Sequence, residues 1–389
     1  MKKGLKHKVT LKLCPSSLRP QQKQKLAKNQ SQSQFVLNSM TYSARTYHAH
    51  AGIYVGAAGG RNPTSHVLKQ ASAPLGINKK IRFWHNHLNQ VKDKARANRV
   101  ADYLKNGIPI GFIGESRTVC TKNWPSATQF ADNVTEFLNG GLQSGAISGP
   151  YPYPPPTNFR VSPLGAFLKN GKVRIIHDLS FPPGEAVNEG IPQEETSVHY
   201  STVGDAVHWC MQFTNPWLAK CDLRSAYTSC MVCPKDRQLL AFAWEYQGQY
   251  CTFTQNTLPF GLASSCSRFE DISTALEDIM IARGAPRSTL HYIDDFILVQ
   301  GSKEACSEGL KIVLDTCTQA GFEVQPKKTV GPVQVIEFLG ITIDTIESKL
   351  CISQDKCKEM HQLLASWLHK KSATKRQILS LLGKMAFFS

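Results

Sequence analysis

Two textures of hydrophobicity divide this chain. Over residues 81–105 apolar side chains recur at three- and four-residue steps, first Ile81, Trp84, Leu88 and Val91, then Val100, Tyr103 and Leu104. That is the period of a helix with one buried face. Asn106-Gly107 ends it, and a second helix is predicted over 126–139, carrying Phe130, Val134, Phe137 and Leu138 and stopping at Gly140-Gly141. From residue 159 the runs shorten and become β-rich. Strands at 159–161 and 165–168 lead into Lys169-Asn170-Gly171-Lys172, whose Asn-Gly pair signals a tight hairpin, and 173–178 alternates as the return strand. A polar loop over 181–199 and a helix over 203–213 precede a buried strand at 217–223. Strands at 238–245 and 249–254 pair around Gln247-Gly248. Leu258-Pro259-Phe260-Gly261-Leu262 turns into a helix running to 281, 303–320 is an amphipathic helix capped by Gly321, 335–343 closes the sheet, and 355–388 is a basic helical tail.

Between the last two long helices lies the stretch His291-Tyr292-Ile293-Asp294-Asp295-Phe296-Ile297-Leu298-Val299. Residues 290–292 and 296–299 read as the strands of a hairpin, with Asp294 and Asp295 at its tip inside an apolar ladder. Two carboxylates beside a core lose hydration and repel each other, so they must be protonated or paired with cations. A divalent metal with hard oxygen ligands is the natural partner. The plainer alternative is an ordinary turn, since Asp is a common turn residue. The succession strand, helix, strand hairpin, helix, strand over 217–343 predicts an α+β fold, an antiparallel ferredoxin-like sheet with helices on one face. There Asp222, near the end of the first strand, comes beside the 294–295 tip. Three converging carboxylates are what two-metal phosphoryl transfer requires.

Composition and charge sharpen the picture. The 389 residues allow two or three domains, and 41% hydrophobic content is ordinary for a globular protein. The net charge of +16 is unevenly spread. Residues 1–99 hold 19 Lys and Arg against the single acid Asp93, a balance of +18, while the remainder holds 26 against 28, a balance of −2. A basic arm favours a polyanion by releasing condensed counterions, so nucleic acid is the first candidate partner, with a solvated tail as the alternative. Residues 1–80 show no sustained period and read as a largely disordered arm. Lys92, Lys94, Arg96 and Arg99 crowd one part of the first helix, either against phosphates or simply in solvent. Cys210, Cys251, Cys266 and Cys317 read as small buried hydrophobes. Cys230 and Cys233 form a C-x-x-C without a second pair at zinc spacing. No stretch approaches a transmembrane length, and residues 1–13 lack the apolar middle of a signal peptide, so a soluble intracellular protein that does not engage a membrane is expected. Residues 150–156, a polyproline-like run, form a stiff spacer and the best boundary, with a WW- or SH3-type ligand as the lesser reading. The resulting division is an arm at 1–80, a helical region at 81–149, a central unit at 150–343 and a start of a further region at 344–389.

Six motifs in this order resemble the reverse transcriptase domain of retroelements, over residues 159–343, a little under half of the chain. Tyr292-Ile293-Asp294-Asp295 is similar to the catalytic Tyr-x-Asp-Asp box. Asp222-Leu223-Arg224-Ser225-Ala226-Tyr227 is similar to the first catalytic motif, an Asp followed five residues later by an aromatic. Leu258-Pro259-Phe260-Gly261 resembles the nucleotide- and template-contacting motif, and Val173 to Asp178 the fingers motif. Gly321-Phe322, Pro326-Lys327-Lys328 and Glu337-Phe338-Leu339-Gly340 resemble the late palm and primer-grip motifs.

The resemblance implies a right-hand polymerase with fingers, a ferredoxin-like palm and a thumb that is truncated at Ser389, weakening primer–template grip. It implies an RNA-directed DNA polymerase acting on an RNA or DNA template-primer and deoxynucleoside triphosphates. Two Mg²⁺, with Mn²⁺ as a substitute, would sit on Asp222, Asp294, Asp295 and the Leu223 carbonyl. Lys169 and Arg174 would clamp the triphosphate. Tyr227 would exclude a 2′-hydroxyl. Phe260 and Gly261 would line the nucleotide and template contacts, Gly261 by letting the backbone approach closely. Lys328, or its neighbour Lys327, would protonate the leaving pyrophosphate. Phe260 stands where retroviral enzymes have Gln and gypsy-like elements have Phe, and the sequence around 163–179 and 220–269 looks most like metazoan DIRS-like retroelements. A catalytically silent nucleic-acid-binding remnant is the competing reading. An RNA-dependent RNA polymerase palm is disfavoured by Tyr227 and the late palm motifs.

Overall fold

The computed structural model describes residues 75–169 and 171–386. The basic arm up to residue 74, Asn170 of the Asn-Gly turn and residues 387–389 lie outside them. The first periodic stretch is two helices, α1 (Ile81–His87) and α2 (Lys94–Asn106). The break falls at Asp93, whose carboxylate caps α2 by accepting from the Ala95 and Arg96 amides. After β1 (Val119–Cys120) come α3 (Pro125–Gln129) and α4 (Ala131–Ser144). α4 runs straight through Gly140-Gly141, the expected stop, and ends at Gly145 with φ +81°. Gly141 serves packing instead, because a Cβ there would lie 2.2 Å from Ile147 Cδ1.

Next come β2 (Ile147–Tyr151), β3 (Arg160–Val161), β4 (Leu164–Lys169), β5 (Lys172–His177), α5 (Val203–Cys210), β6 (Trp217–Arg224), β7 (Ala241–Tyr246) and β8 (Gln249–Gln255). The long helix α6 (Ser265–Ala282) leads into β9 (Leu290–Tyr292) and β10 (Asp295–Gln300). α7 (Lys303–Ala320) starts at the Ser302 cap and ends at Gly321 in the left-handed conformation, φ +96°. β11 (Glu323–Val324), β12 (Val330–Val333), β13 (Val335–Phe338), β14 (Ile341–Asp344), β15 (Lys349–Ile352), α8 (Gln354–Leu368) and α9 (Lys375–Ala386) complete the described chain.

The central sheet runs β11-β6-β10-β9, antiparallel throughout, with β12 also pairing β6. That is the ferredoxin-like order, in which the fourth strand in sequence lies beside the first. Residues 335–343 do not close it. Leu339, with φ +50°, and Gly340 turn that stretch into the β13–β14 hairpin of a separate sheet, β13-β14-β15. The edge is taken by β11 and β12, too short and Gly/Pro-interrupted to announce themselves as strands. A second sheet, β1-β3-β7-β8-β2, and the β4–β5 hairpin lie outside the ferredoxin order. Residues 150–156 do not act as a spacer there, since Ile147 pairs with Gln255 and Tyr151 with Thr252 across β2 and β8.

One face of the central sheet is covered by α6 and α7, which bury Phe269, Ile272, Leu276, Leu310, Val313 and Cys317 against Ala219, Cys221, Phe296 and Leu298. The N-terminal helices belong to the same core through Ile77, Trp84, Val100, Tyr103 and Leu104. The indole of Trp84 donates to the Ala320 carbonyl at 3.0 Å, tying α1 to the end of α7. On the other face Ala206 of α5 and Ile336, Phe338 and Ile343 cover Leu218, Ile297 and Val299.

Basic residues at and just before the start of α2 have acidic partners on α6. Arg99 Nη2 lies 2.7 Å and Arg96 Nε 3.3 Å from Asp271 Oδ1, and the Tyr103 hydroxyl donates to Asp271 Oδ2 at 3.1 Å. Lys92 Nζ pairs with Asp278 Oδ1 at 2.8 Å, while Lys94 Nζ donates to the Asn89 and Val91 carbonyls. The charge run is spent on docking α2 to the acidic stripe of α6. Among the described residues no helix is long and apolar enough to cross a membrane.

Removing the shared acceptor in Asp271→Ala takes the acceptor from Arg99 and the Tyr103 hydroxyl and leaves Arg96 only its longer pair with Asp93 at 3.9 Å. Breaking a fully buried pair costs roughly 3–5 kcal/mol. Because the Arg99 side chain is 43% exposed and rehydrates, the expected loss in denaturant unfolding is about 2 kcal/mol.

Candidate active site

β6 and β10 pair from Trp217↔Gln300 to Asp222↔Asp295, so the apolar registers in the middle of the ladder set two carboxylates opposite each other at its end. The β9–β10 hairpin then turns through Ile293 and Asp294, with Tyr292 paired to Asp295. Ile293 has φ +57°. A β-branched residue in the left-handed region is strained by about 1–3 kcal/mol. Two hydrogen bonds hold the turn in that shape. Ser273 Oγ of α6 donates to the Ile293 carbonyl at 2.8 Å, and the Leu223 amide donates to the Asp294 carbonyl at 3.0 Å. The second bond fixes Asp294 to the strand that carries Asp222.

Asp222 is 7% exposed. Its main-chain carbonyl accepts from the Gln325 amide at 2.8 Å, and its carboxylate receives Lys328 Nζ at 2.5 Å. Lys328 sits on the 3₁₀ turn Pro326–Lys328 that follows β11, and the Asp222 carboxylate raises its pKa. Among the described residues Lys327 forms no ion pair, so Lys328 is the one placed at the carboxylates. Burial, the hydrogen bond with Asp222 and the charge of Asp294 push Asp295 up to about 7. Burial first, and then Asp222, also raises Asp294. Leu223, whose carbonyl the resemblance offers as a ligand, is buried in β6 opposite Val324.

This donor set fits a divalent cation. Burial first, and then the neighbouring carboxylates, hold Asp294 and Asp295 at raised pKa with Lys328 as the counter-charge, and a hard cation relieves both. Among the described residues no three acidic, His or Cys side chains close on one point as a cage. Mg²⁺ does not need one, because it is commonly bound by one or two carboxylates with water and substrate phosphates completing its shell.

Beyond β6 the chain reverses through Ser225, φ +53°, into the 3₁₀ turn Tyr227–Ser229. Tyr227 is buried beside the Phe269 ring, with centroids 5.3 Å apart, and against Phe260 at 5.0 Å. Phe260 itself is 69% exposed. The Tyr227 hydroxyl and Cys266 Sγ are hydrogen-bonded at 3.1 Å. Burial, then Cys266, raises the pKa of the Tyr227 phenol, and Asp294 contributes. Burial, then Cys266, raises the pKa of the phenol of Tyr200, from the loop before α5, and its ring lies 4.9 Å from that of Tyr292. Cys266 is therefore no inert core filler but a partly exposed hydrogen-bond partner of Tyr227. Cys210 and Cys251 are also only partly buried, whereas Cys317 is fully buried.

Gly261 has φ +95°, and a Cβ there would come 3.1 Å from the His177 carbonyl at the end of β5. Its own carbonyl accepts from Asn188 Nδ2 at 2.8 Å. The β4–β5 hairpin pairs Phe167↔Arg174 and Lys169↔Lys172. Cross-strand partners and alternate residues share a face, so Lys169, Lys172 and Arg174 line one side of this hairpin tip. Lys172 went unremarked in the sequence, although alternation from Arg174 would have found it.

Behind the catalytic hairpin a second polar group was also missed. His291, 5% exposed, places Nδ1 at 2.5 Å from Glu277 Oε2 and Nε2 at 3.0 Å from Glu270 Oε1. Burial works against the charged imidazole, but the two carboxylates outweigh it and raise its pKa to about 9.

The family described as reverse transcriptase (RNA-dependent DNA polymerase) matches residues 180–343. Similar proteins include the Gag-Pol polyprotein of Feline leukemia virus, 27% identical over 133 residues, which are 33% of this chain and 8% of that protein. The enzymatic polyprotein of Cestrum yellow leaf curling virus is 30% identical over 33% of this chain and 19% of its own length. The Gag-Pol polyprotein of Rous sarcoma virus subgroup B is 24% identical over 60% of this chain and 14% of its own. The chain thus spans less than a fifth of the length of these polyproteins. Among solved structures, the foamy viral protease-reverse transcriptase in complex with ds DNA aligns with a TM-score of 0.55 at 16% identity, covering 79% of this chain and 52% of that one. The same enzyme with an RNA/DNA hybrid aligns at 0.53 and 14% identity, covering 79% and 40%. These structures share the fold.

Two outcomes follow from the electrostatics. Asp295→Asn removes a like charge, so without metal at neutral pH it should raise the unfolding free energy by about 1 kcal/mol, while the Mg²⁺-induced rise in melting temperature shrinks. For His291 the folded pKa lies above the unfolded value of 6.5. Its contribution is therefore complete below that pH and is lost as pH rises through about 9. In melting curves the stability gap between wild type and His291→Gln should close over that window.

Proposed function

Because this chain carries a reverse transcriptase domain of the retroelement kind, we propose that it is an RNA-directed DNA polymerase extending a primer with deoxynucleotides on an RNA or DNA template. The observation that carries the reading is the Asp222↔Asp295 register with Asp294 on the adjoining turn, hydrogen-bonded through its carbonyl to Leu223. Enzymes of this family typically use divalent metal ions. Here Asp222, Asp294 and Asp295, with the Leu223 carbonyl, would hold two Mg²⁺, or Mn²⁺ in their place. Bound there, the metal would supply acidification of the primer 3′-hydroxyl and charge neutralisation on the triphosphate.

The chain's own groups do the rest. The primer 3′-oxygen forms a bond to the α-phosphorus as the bond to pyrophosphate breaks. Lys328, kept protonated beside Asp222, is the proton donor to the leaving pyrophosphate. Lys169, Arg174 and the unforeseen Lys172 bind the triphosphate from the hairpin tip, the forked guanidinium in two places and the ammonium groups as point charges. Tyr227, pinned by Cys266 and tilted against Phe260, fills the space a 2′-hydroxyl would need. Gly261 lets the main chain approach the template. The foamy viral neighbours hold ds DNA and RNA/DNA hybrid, the class of ligand proposed here, and the basic residues 1–80 add salt-sensitive affinity for it.

Primer extension on a primed RNA template tests this. Asp294→Asn should cut the rate by roughly 10³-fold. Full retention of activity in that variant would remove the metal assignment. Tyr227→Ala should raise incorporation of ribonucleotides relative to deoxynucleotides, with Cys266→Ala shifting it less in the same direction. Salt-sensitive binding of template-primer with no extension under any metal would identify a catalytically silent nucleic-acid-binding remnant instead.

A further inference from the structure

The imidazole of His291 is the unusual feature of this palm. It lies on β9, three residues before the first carboxylate of the turn, and both its nitrogens face carboxylates of α6. Those carboxylates, Glu270 and Glu277, share one face of α6 with Ser273, at steps of three and four residues. Ser273 is 1% exposed and donates to the Ile293 carbonyl. One stripe of one helix thus grips the hairpin twice, by an ion triad at His291 and by a hydrogen bond at the strained residue next to Asp294. The triad is more than the strand needs for packing, since β9 is already paired to β10 and the rings of His291 and Phe296 are in contact. Glu270 Oε2 is buried without a partner, so Glu270 bears a desolvation cost that the imidazole offsets, helped only by a long hydrogen bond from the Thr274 hydroxyl at 3.5 Å.

We infer that His291 is a positioning residue of the polymerase site. Bridging Glu270 and Glu277, it locks the catalytic hairpin onto α6 and, with Ser273, fixes the Ile293-Asp294 turn in the strained shape that presents Asp294 beside Asp222. The inference rests on the polymerase reading for its kinetic consequence, but not for its effect on metal affinity. A hairpin freed from α6 relaxes Ile293 toward negative φ, and Asp294 moves with it. The two carboxylates then meet a cation less well, while the triphosphate-binding hairpin β4–β5 and the Tyr227 gate are untouched.

The test compares wild type with Ser273→Ala and with the triple variant His291→Gln, Glu270→Gln, Glu277→Gln. The triple variant removes the cation and both anions together, so no buried charge is left alone. Two quantities are measured, the affinity for Mn²⁺ in the absence of substrate by electron paramagnetic resonance, and single-nucleotide extension at saturating metal. Both variants should fold. The triple variant should bind Mn²⁺ about tenfold more weakly and lose about 10²-fold in kcat with little change in the KM for deoxynucleotide, and Ser273→Ala should move both in the same direction by less. A triple variant, or a folded Ser273→Ala if the triple variant does not fold, with wild-type Mn²⁺ affinity and wild-type kcat overturns the inference and leaves the polymerase reading intact. A wild type that binds Mn²⁺ but extends no primer overturns the polymerase reading, and the Mn²⁺ comparison alone then decides the positioning role. A wild type that binds no Mn²⁺ overturns both.

Discussion

Mutual repulsion among Asp222, Asp294 and Asp295 is the constraint around which this molecule is arranged. Left to themselves, carboxylates at the end of a buried ladder would be driven apart or protonated. They stay because the ladder gives them no choice of register. Slipping β10 by one residue against β6 would turn Ile297 and Val299 away from the core they fill on one face, and Phe296 and Leu298 from the core on the other. The apolar pairs in the middle of the sheet thus enforce an unfavourable juxtaposition at its end, and Lys328 is the only cation placed to moderate it among the described residues. Stability is given up at one point, and a hard cation bound there would recover it.

The same economy explains α6. A helix of eighteen residues buried along much of its length carries two acidic stripes side by side. Asp271 faces Arg96 and Arg99 of α2 and Asp278 faces Lys92 just before it, while Glu270 and Glu277 face His291. Each stripe is acceptable only because a cation comes with it from another element. Ser273, between them in sequence, reaches the hairpin. The helix fastens the N-terminal helices with one side and the Ile293-Asp294 turn with the next.

Much of this was legible in the sequence. The ferredoxin-like order, Asp222 near the end of β6, the hairpin of β9 and β10, and α7 with its Gly321 cap follow from alternation, period and capping, whereas Asp295, expected at the hairpin tip, opens β10. What was not legible depended on contacts between distant segments. Residues 335–343 have the apolar content of a closing strand, yet the left-handed Leu339 and Gly340 fold them into a hairpin of their own, and the true edge is the weakly patterned β11 and β12. Gly140-Gly141 carry the signal of a helix stop, but Ile147 packs where a side chain would be. Lys92, Arg96 and Arg99 look like a nucleic-acid surface until Asp271 and Asp278 are placed opposite them. Cys266 is a small apolar residue by composition, and only the approach of Tyr227 gives its sulfur a task. The grouping of Asp222 with Asp294, Asp295 and Lys328 came from motif order, whereas the partners of His291 lie 14 and 21 residues away on another element and leave no local trace.

The burial of Trp84 against the end of α7 has a consequence for the unit of inheritance. Because Ile77, Trp84, Val100 and Leu104 share one core with Phe269, Leu276 and Val313, the region matched by the family is not an autonomous folding module. A gene fragment that begins at residue 150 would encode Asp222, Asp294 and Asp295 yet leave bare the apolar flank of α6 and α7 that the N-terminal helices cover. A fragment that keeps this core whole has to begin upstream of Ile77 and carry the preceding helices with it.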